Sequence, residues 1–340
     1  MNIVVWTTGD KSHGMGHVAR MSVLAKSLIS HDHAVTFLTR RNTPGEKYLT
    51  DRFSTVIPHP SDFPQPKMWR KLLPDIAILD VEHGPSRATL MDCKEYATRT
   101  VVIGGVGFYI SDQDSIDELV DLQIHQTGHV THEAKHKSRS NYLNGTEYLI
   151  LDESFVNARA ARELRHSPVL NQHILVSMGG ADPHDLTHHV AKALADAFPA
   201  QRVIAIYGPA SQHAERKGFP NNVSIIESPP PEQFAQLMSE ASVLITALGM
   251  TVYEALCVGV PVACTAWSTD HEATAQYLES KNAIAYLGQW NEFDSGSMFA
   301  FVHNVIALET YRDMRTKTGL RLVDGKGTER VVEKLEELGG

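Results

Sequence analysis

The chain has 340 residues, enough for two domains of ordinary size with cores of their own. Its 31 basic and 40 acidic residues give a formal net charge of −9 with no basic block, which disfavours nucleic acid as the main partner. Cys93, Cys257 and Cys264 are widely spaced and read as small buried hydrophobes in a reducing compartment. The N-terminus shows no signal pattern, and no apolar run reaches the ~18 residues a membrane span needs, so a cytoplasmic protein without a membrane span is expected.

The run Ile3 to Thr8 reads as a buried strand, and Val18, Met21, Leu24, Ala25 and Leu28 mark a helix after it. Between them lies a polar loop with Gly14 and Gly16, which free the backbone for close approach by a ligand. His17 falls at the helix start, where the positive end of the dipole favours a neutral imidazole that can act as a base. Further strands are expected at 34–39, 76–80 and 100–103, and helices at 87–96 and 116–122. The proline-rich stretch 52–70 reads as loop. The periodicity lapses around 162–172 and then restarts. Strands are expected at 173–178, 202–207, 223–226, 243–246 and 260–265, and helices at 186–198, 231–241, 250–257 and 270–280. The segment 300–338 reads as helix broken at Asp324-Gly-Lys-Gly327.

This alternation predicts an α/β protein of two Rossmann-like domains facing a cleft, since ligands bind beyond the carboxyl ends of strands in open α/β sheets. The expected division is residues 1–165, then 166–310, then a helical segment 311–340. Gly179-Gly180-Ala-Asp182 and Gly249-Met250-Thr251 are two further strand-to-helix turns of the second domain. Glu254 follows the latter by about one turn, so phosphate at the helix start and ribose hydroxyls on the carboxylate would make a nucleotide site. The plainer alternative is a solvated helix residue.

Other readings compete. Gly14-Met-Gly16-His-Val-Ala19 fits a dinucleotide fingerprint, but Gly9 to His13 separate it from the strand, and only Arg40-Arg41 keeps an NADP-dependent oxidoreductase as a remote alternative. A Walker A loop fails because Met15 stands where lysine is required. His132-Glu-Ala-Lys-His136 has zinc-protease spacing on polar flanks with no apolar face, so a chance match is expected and no metal or cofactor is called for.

At these residues the chain resembles the nucleotide-sugar hydrolases of the pseudaminic acid pathway and the related spore-coat polysaccharide proteins, two-domain glycosyltransferase-B folds akin to the MurG-type transferases. The matching pieces run in order over nearly the whole chain: Gly14 to Arg20, Ile78-Leu-Asp80, Tyr148 to Phe155, Ser177 to Asp182, Thr246 to Glu254, Gly259-Val-Pro261 and Asp324 to Arg330. The resemblance implies a UDP-sugar with its nucleotide on the C-terminal domain and its sugar toward the N-terminal loop. His17 falls on the catalytic histidine. Gly14, Gly16 and Arg20 of its loop and helix are expected to bind substrate, as are Gly179 and Gly180 of the third turn. Gly249, Met250 and Thr251 fall on the diphosphate-facing turn, Glu254 on the ribose-binding acid, and Ile226 near the uracil. Two positions depart from the family: Gly104-Gly-Val-Gly107 replaces an acidic pair, and Asp270-His271 replaces Asn-Gln, both expected near the sugar or the nucleotide. The implied activity is cleavage of the sugar–nucleotide linkage with transfer to water, or else to an acceptor hydroxyl by a glycosyltransferase.

Overall fold

The computed structural model describes residues 1–10, 14–61, 63–81, 84–104, 118–127, 141–164, 173–209, 211 and 218–340. The His132–His136 pair, the residues 105–107 and the expected boundary at 165–172 lie outside them. The chain divides into two compact units, Met1–Leu151 with Lys326–Gly340, and Asp152–Gly325.

Among the described residues, the first unit is built on a parallel sheet of seven strands: β1 (Asn2–Thr7), β2 (Ala34–Arg40), β3 (Val56–His59), β4 (Ile76–Asp80), β5 (Arg99–Ile103), β6 (Leu122–His125) and β7 (Tyr142–Asn144). Their spatial order is β3-β2-β1-β4-β5-β6-β7, so the direction of winding reverses between β1 and β4. The helices are α1 (Gly16–Ser30), α2 (Pro44–Thr50), α3 (Pro66–Leu72) and α4 (Arg87–Tyr96). Val18, Met21, Leu24, Ala25 and Leu28 of α1 are buried in one cluster with Ile3, Val5, Ile76 and Ile78, the residues that alternation aims at the α1 face.

The second unit carries α5 (Glu153–Glu163), β8 (Ile174–Ser177), α6 (Leu186–Ala197), β9 (Val203–Tyr207), β10 (Val223–Glu227), α7 (Pro231–Glu240), β11 (Val243–Ala247), α8 (Met250–Val258), β12 (Val262–Ala266), α9 (Thr269–Ser280), β13 (Ile284–Gln289), α10 (Ser295–Ala307) and α11 (Glu309–Leu322). Its parallel sheet runs β10-β9-β8-β11-β12-β13, with the reversal between β8 and β11. Buried Arg162 of α5 donates to the Ser239 and Ala241 carbonyls at 2.9 and 2.8 Å, satisfying groups at the end of α7. That anchoring places α5 with the second unit, although the expected boundary follows it.

The last helix, α12 (Gly327–Gly339), returns to the first unit rather than extending a separate C-terminal segment. Val331, Val332 and Leu335 join the α1 core, and Arg330 donates to the Glu147 carbonyl at 3.0 Å. A Cβ on Gly327 would lie 2.2 Å from the Leu149 carbonyl oxygen, so only glycine lets α12 approach this closely.

Three expectations are corrected. The stretch 52–70 holds β3 and α3 rather than loop alone. Pro58 is tolerated because β3 is an edge strand, and Pro66 because it opens a helix whose first N–H has no partner to lose. The residues taken as the end of a helix at 116–122 lead instead into β6, which starts at Leu122. Strands β7 and β13, both at sheet edges, were not expected from the periodicity.

Candidate active site

In the first unit the winding reverses between β1 and β4, and open α/β sheets bind ligands beyond the carboxyl ends of the strands at such a reversal. Thr7 and Asp80 are register partners there. Asp80 continues the α1-facing stripe of Ile76 and Ile78, but where the stripe runs out of apolar partners it meets His17 and Arg20, three residues apart on one face of α1. The His17 Nδ1 lies 2.7 Å from Asp80 Oδ1, and Arg20 Nε donates to Asp80 Oδ2 at 2.5 Å. Arg20 Nη2 donates to Oδ1 as well, so the guanidinium forks onto both carboxylate oxygens.

Asp80 is fully buried. Burial alone would push its carboxyl up, but the charges of Arg20 and His17 and the hydrogen bonds they donate hold it below the usual carboxylate range. Arg20 shows the converse: burial works against its charge, and Asp80 more than offsets that, raising it. The Asp80 carboxylate can only accept, so the ring donates to it through Nδ1–H, and when the ring is neutral the lone pair sits on Nε2. That is the tautomer a general base needs, and the His17 side chain keeps 24% of its surface exposed to meet a substrate.

The glycines of this loop divide by task. Gly14 has φ +82 and exchanges two backbone hydrogen bonds with Asp10, closing the loop into a tight antiparallel bridge. Gly16 is the first residue of α1, and the Met15 cap makes no side-chain hydrogen bond to the helix end. Gly45 donates to the Gly9 carbonyl at 2.9 Å, and a Cβ on Gly45 would lie 2.8 Å from Gly9 backbone atoms, so α2 packs directly against the loop.

The second unit repeats the arrangement at its own reversal. After β8 the chain turns through Gly179 (φ +89) and Gly180, and buried Asp182 caps α6 by accepting from the Leu186 and Thr187 amides at 2.9 and 3.0 Å. Gly208, just after β9, lets this loop lie against it: a Cβ there would sit 2.5 Å from the Gly179 oxygen and the Gly180 Cα. After β11, Gly249 opens α8 with no side-chain cap, and the first turn of the helix carries no acidic residue. Among the described residues, a Cβ on Gly249 meets nothing within 4 Å, and its extended backbone would suit any residue, so internal packing does not call for glycine there. Glu254 follows one turn on. Burial pushes its carboxyl up to about 8; a hydrogen bond from Thr251 opposes this and the Asp152 charge adds to it.

The sheet order thus brings Gly179, Gly180, Gly249, Met250, Thr251 and Glu254 to one switch point. Ile226 lies on the edge strand β10, two strands away from β8, and His271 in the first turn of α9, where its amide donates to the Ser268 cap at 3.3 Å. In the other unit, His17 and Arg20 meet on Asp80, which the sequence reading quoted only within the piece Ile78-Leu-Asp80 and gave no role. The signal was an acid closing the apolar run Ile76–Asp80, but its pairing depends on a crossover that puts β4 beside β1. A second feature was also missed. His184, from the loop after β8, stacks on Trp290 with ring centroids 3.5 Å apart and tilts against Trp267 at 5.6 Å, gathering aromatic side chains from three strand ends.

Comparison with known proteins agrees with this architecture. No family model matches the chain. It is 28% identical over 348 residues to the spore coat polysaccharide biosynthesis protein SpsG of Bacillus subtilis (strain 168), covering 99% of this chain and 98% of that one. Among solved structures it is similar to MurG of Acinetobacter baumannii (TM-score 0.65, 15% identity, 99% and 100% of the two chains). It is also similar to the UDP-GlcNAc 2-epimerase of Neisseria meningitidis bound to UDP-GlcNAc (TM-score 0.63, 12% identity, 98% and 100% covered). The fold is that of the glycosyltransferase-B group.

Proposed function

We propose that the protein cleaves a nucleotide-sugar, a UDP-sugar by its resemblances, at the bond between sugar and diphosphate, with water as the acceptor. The observation that carries this reading is the His17–Asp80 pair, clamped by Arg20 at the carboxyl ends of β1 and β4. A chain that only bound nucleotide-sugars would have no use for a base whose tautomer is fixed by a buried carboxylate.

In this reading His17 Nε2 takes a proton from water as the water oxygen attacks the anomeric carbon. The bond from that carbon to the diphosphate oxygen breaks, and its electron pair leaves with the nucleotide. Asp80 stabilises the imidazolium as it forms. The N-terminus of α8 at Gly249, Met250 and Thr251 receives the diphosphate, where aligned amides stabilise the charge that builds up on the leaving group. Glu254 accepts from the ribose hydroxyls, Gly179 and Gly180 leave room at the adjoining loop, Ile226 lies toward the base, and His271 toward the sugar. The solved epimerase carries a UDP-sugar on this fold, which supports the nucleotide assignment.

A transferase reading uses the same residues, with an acceptor hydroxyl in place of water. The Bacillus relative's part in polysaccharide biosynthesis favours it, because a growing polymer needs sugars passed on. A UDP-release assay over a panel of UDP-sugars, without and then with candidate acceptors, separates the two. Release into water that is lost in His17→Ala is the expected result. Release only on adding an acceptor replaces hydrolysis by transfer, and no release from any nucleotide-sugar overturns both.

A further inference from the structure

We propose that Arg20 is a positioning residue that keeps His17 in its base form by neutralising Asp80, and that it does not bind substrate. The inference rests on the reading of His17 as a base and gives its neighbour a separate task.

The geometry assigns the guanidinium inward. Its Nε and Nη2 are both committed to the Asp80 carboxylate, Nη2 also lies 2.9 Å from His17 Nδ1, and the side chain is only 15% exposed. An arginine that clamps a phosphate or a sugar carboxylate offers one edge of its guanidinium to the ligand; here the Nε–Nη2 edge is filled by Asp80. Gly104, at the end of β5, lies beside it: a Cβ there would stand 3.6 Å from Nη2.

The electrostatic consequence follows from the three charges. A lone buried carboxylate against an imidazole favours the imidazolium, and a base already carrying its proton can take no other. Arg20 opposes that pull at a distance of one hydrogen bond while leaving the carboxylate ionised to orient Nδ1–H. Among the described residues, four acids on neighbouring elements have partners of their own. Glu46 of α2 accepts from the Asn42 amide, Glu336 of α12 pairs with His33 at 3.1 Å, Asp75 before β4 accepts from the Asn2 amide at 2.7 Å, and Asp121 before β6 holds Lys94 at 2.8 Å. Asp10 lies on the loop itself. Among the described residues, Asp80 and Arg20 are the charged groups in direct contact with His17.

The test compares pH–rate profiles of UDP release for the wild type, Arg20→Met and Arg20→Lys. In Arg20→Met the acid limb should move up by roughly 1–3 pH units, the range an opposite charge at this distance commands, with activity returning at high pH. Arg20→Lys keeps a charge on Asp80 and should hold the limb near its wild-type position, with kcat lowered and KM unchanged. A raised KM with an unmoved limb would make Arg20 a substrate ligand, and a uniform loss at every pH would make it merely structural; either overturns the proposal. Nitrogen NMR of imidazole-labelled wild-type protein, with His17 assigned through His17→Ala, needs neither turnover nor a folded Arg20 variant. A neutral ring protonated on Nδ1 near neutral pH is expected, and an imidazolium there sinks the proposal whatever the enzyme's reaction proves to be.

Discussion

Asp80 is the residue on which chemistry and stability meet. Replacing it by Asn keeps the shape but removes the charge that orients Nδ1–H and stabilises the imidazolium, and kcat should fall by about 10²–10⁴-fold. The same change leaves the half-buried Arg20 without its counter-ion, and urea unfolding should report a loss of stability of up to about 3 kcal/mol. Glu254 shows the opposite balance. Its folded value near 8 lies above the ordinary 4.5. The stability contributed by keeping that proton is therefore fully present below the unfolded value and lost as pH rises through the folded one. Glu254→Gln should accordingly melt at a higher temperature than the wild type at alkaline pH. If ribose hydroxyls bind the ionised carboxylate, UDP affinity of the wild type should climb as pH approaches 8 and then level off. In Glu254→Gln it should be flat and weaker by about 1–3 kcal/mol, read by titration calorimetry. At this scale His17 was legible from a glycine pair and a helix start, whereas Asp80 was not, because an acid at the end of Ile76–Asp80 gains meaning only from the strand beside it.

Among elements, the buried parallel strands announce themselves as short apolar runs, and α1 by its spacing of Val18, Met21, Leu24 and Leu28. What local pattern hides is most of the edges, β10 being the exception. β3, β7, β10 and β13 close the two sheets. Of these, β3 carries Pro58 and β7 is three residues long, so proline and brevity mask strands that need only one paired side. The turns that serve the sites depend on contacts equally invisible in sequence. Gly208 has no motif around it, yet its missing Cβ gives Gly179 and Gly180 their place. Gly208→Ala should displace that loop and weaken UDP binding, while far-UV circular dichroism stays close to that of the wild type. Unaltered affinity would show that the loop takes no part in holding the nucleotide.

For the whole molecule, the two winding reversals follow from the order of strands, and each collects its glycine turns at one place. The division of the chain was harder to read, because the break in periodicity falls near 162–172 while α5 packs forward and α12 packs back. Val331, Val332 and Leu335 are almost wholly buried in the first unit, and losing them would remove about 1.5–3 kcal/mol each. A chain ending at Gly325 should therefore lose cooperative unfolding of the first unit, read by denaturant titration, and keep that of the second. The same return of α12 inverts the usual order of assembly on the ribosome, where earlier domains fold first. Residues 1–151 leave the exit tunnel long before residues 326–340, so the first unit waits, its α1 core uncovered, while the second is synthesised and closes. During that interval the nascent chain presents an apolar surface that invites chaperone capture, and protease pulses on stalled chains should find residues 152–325 resistant first.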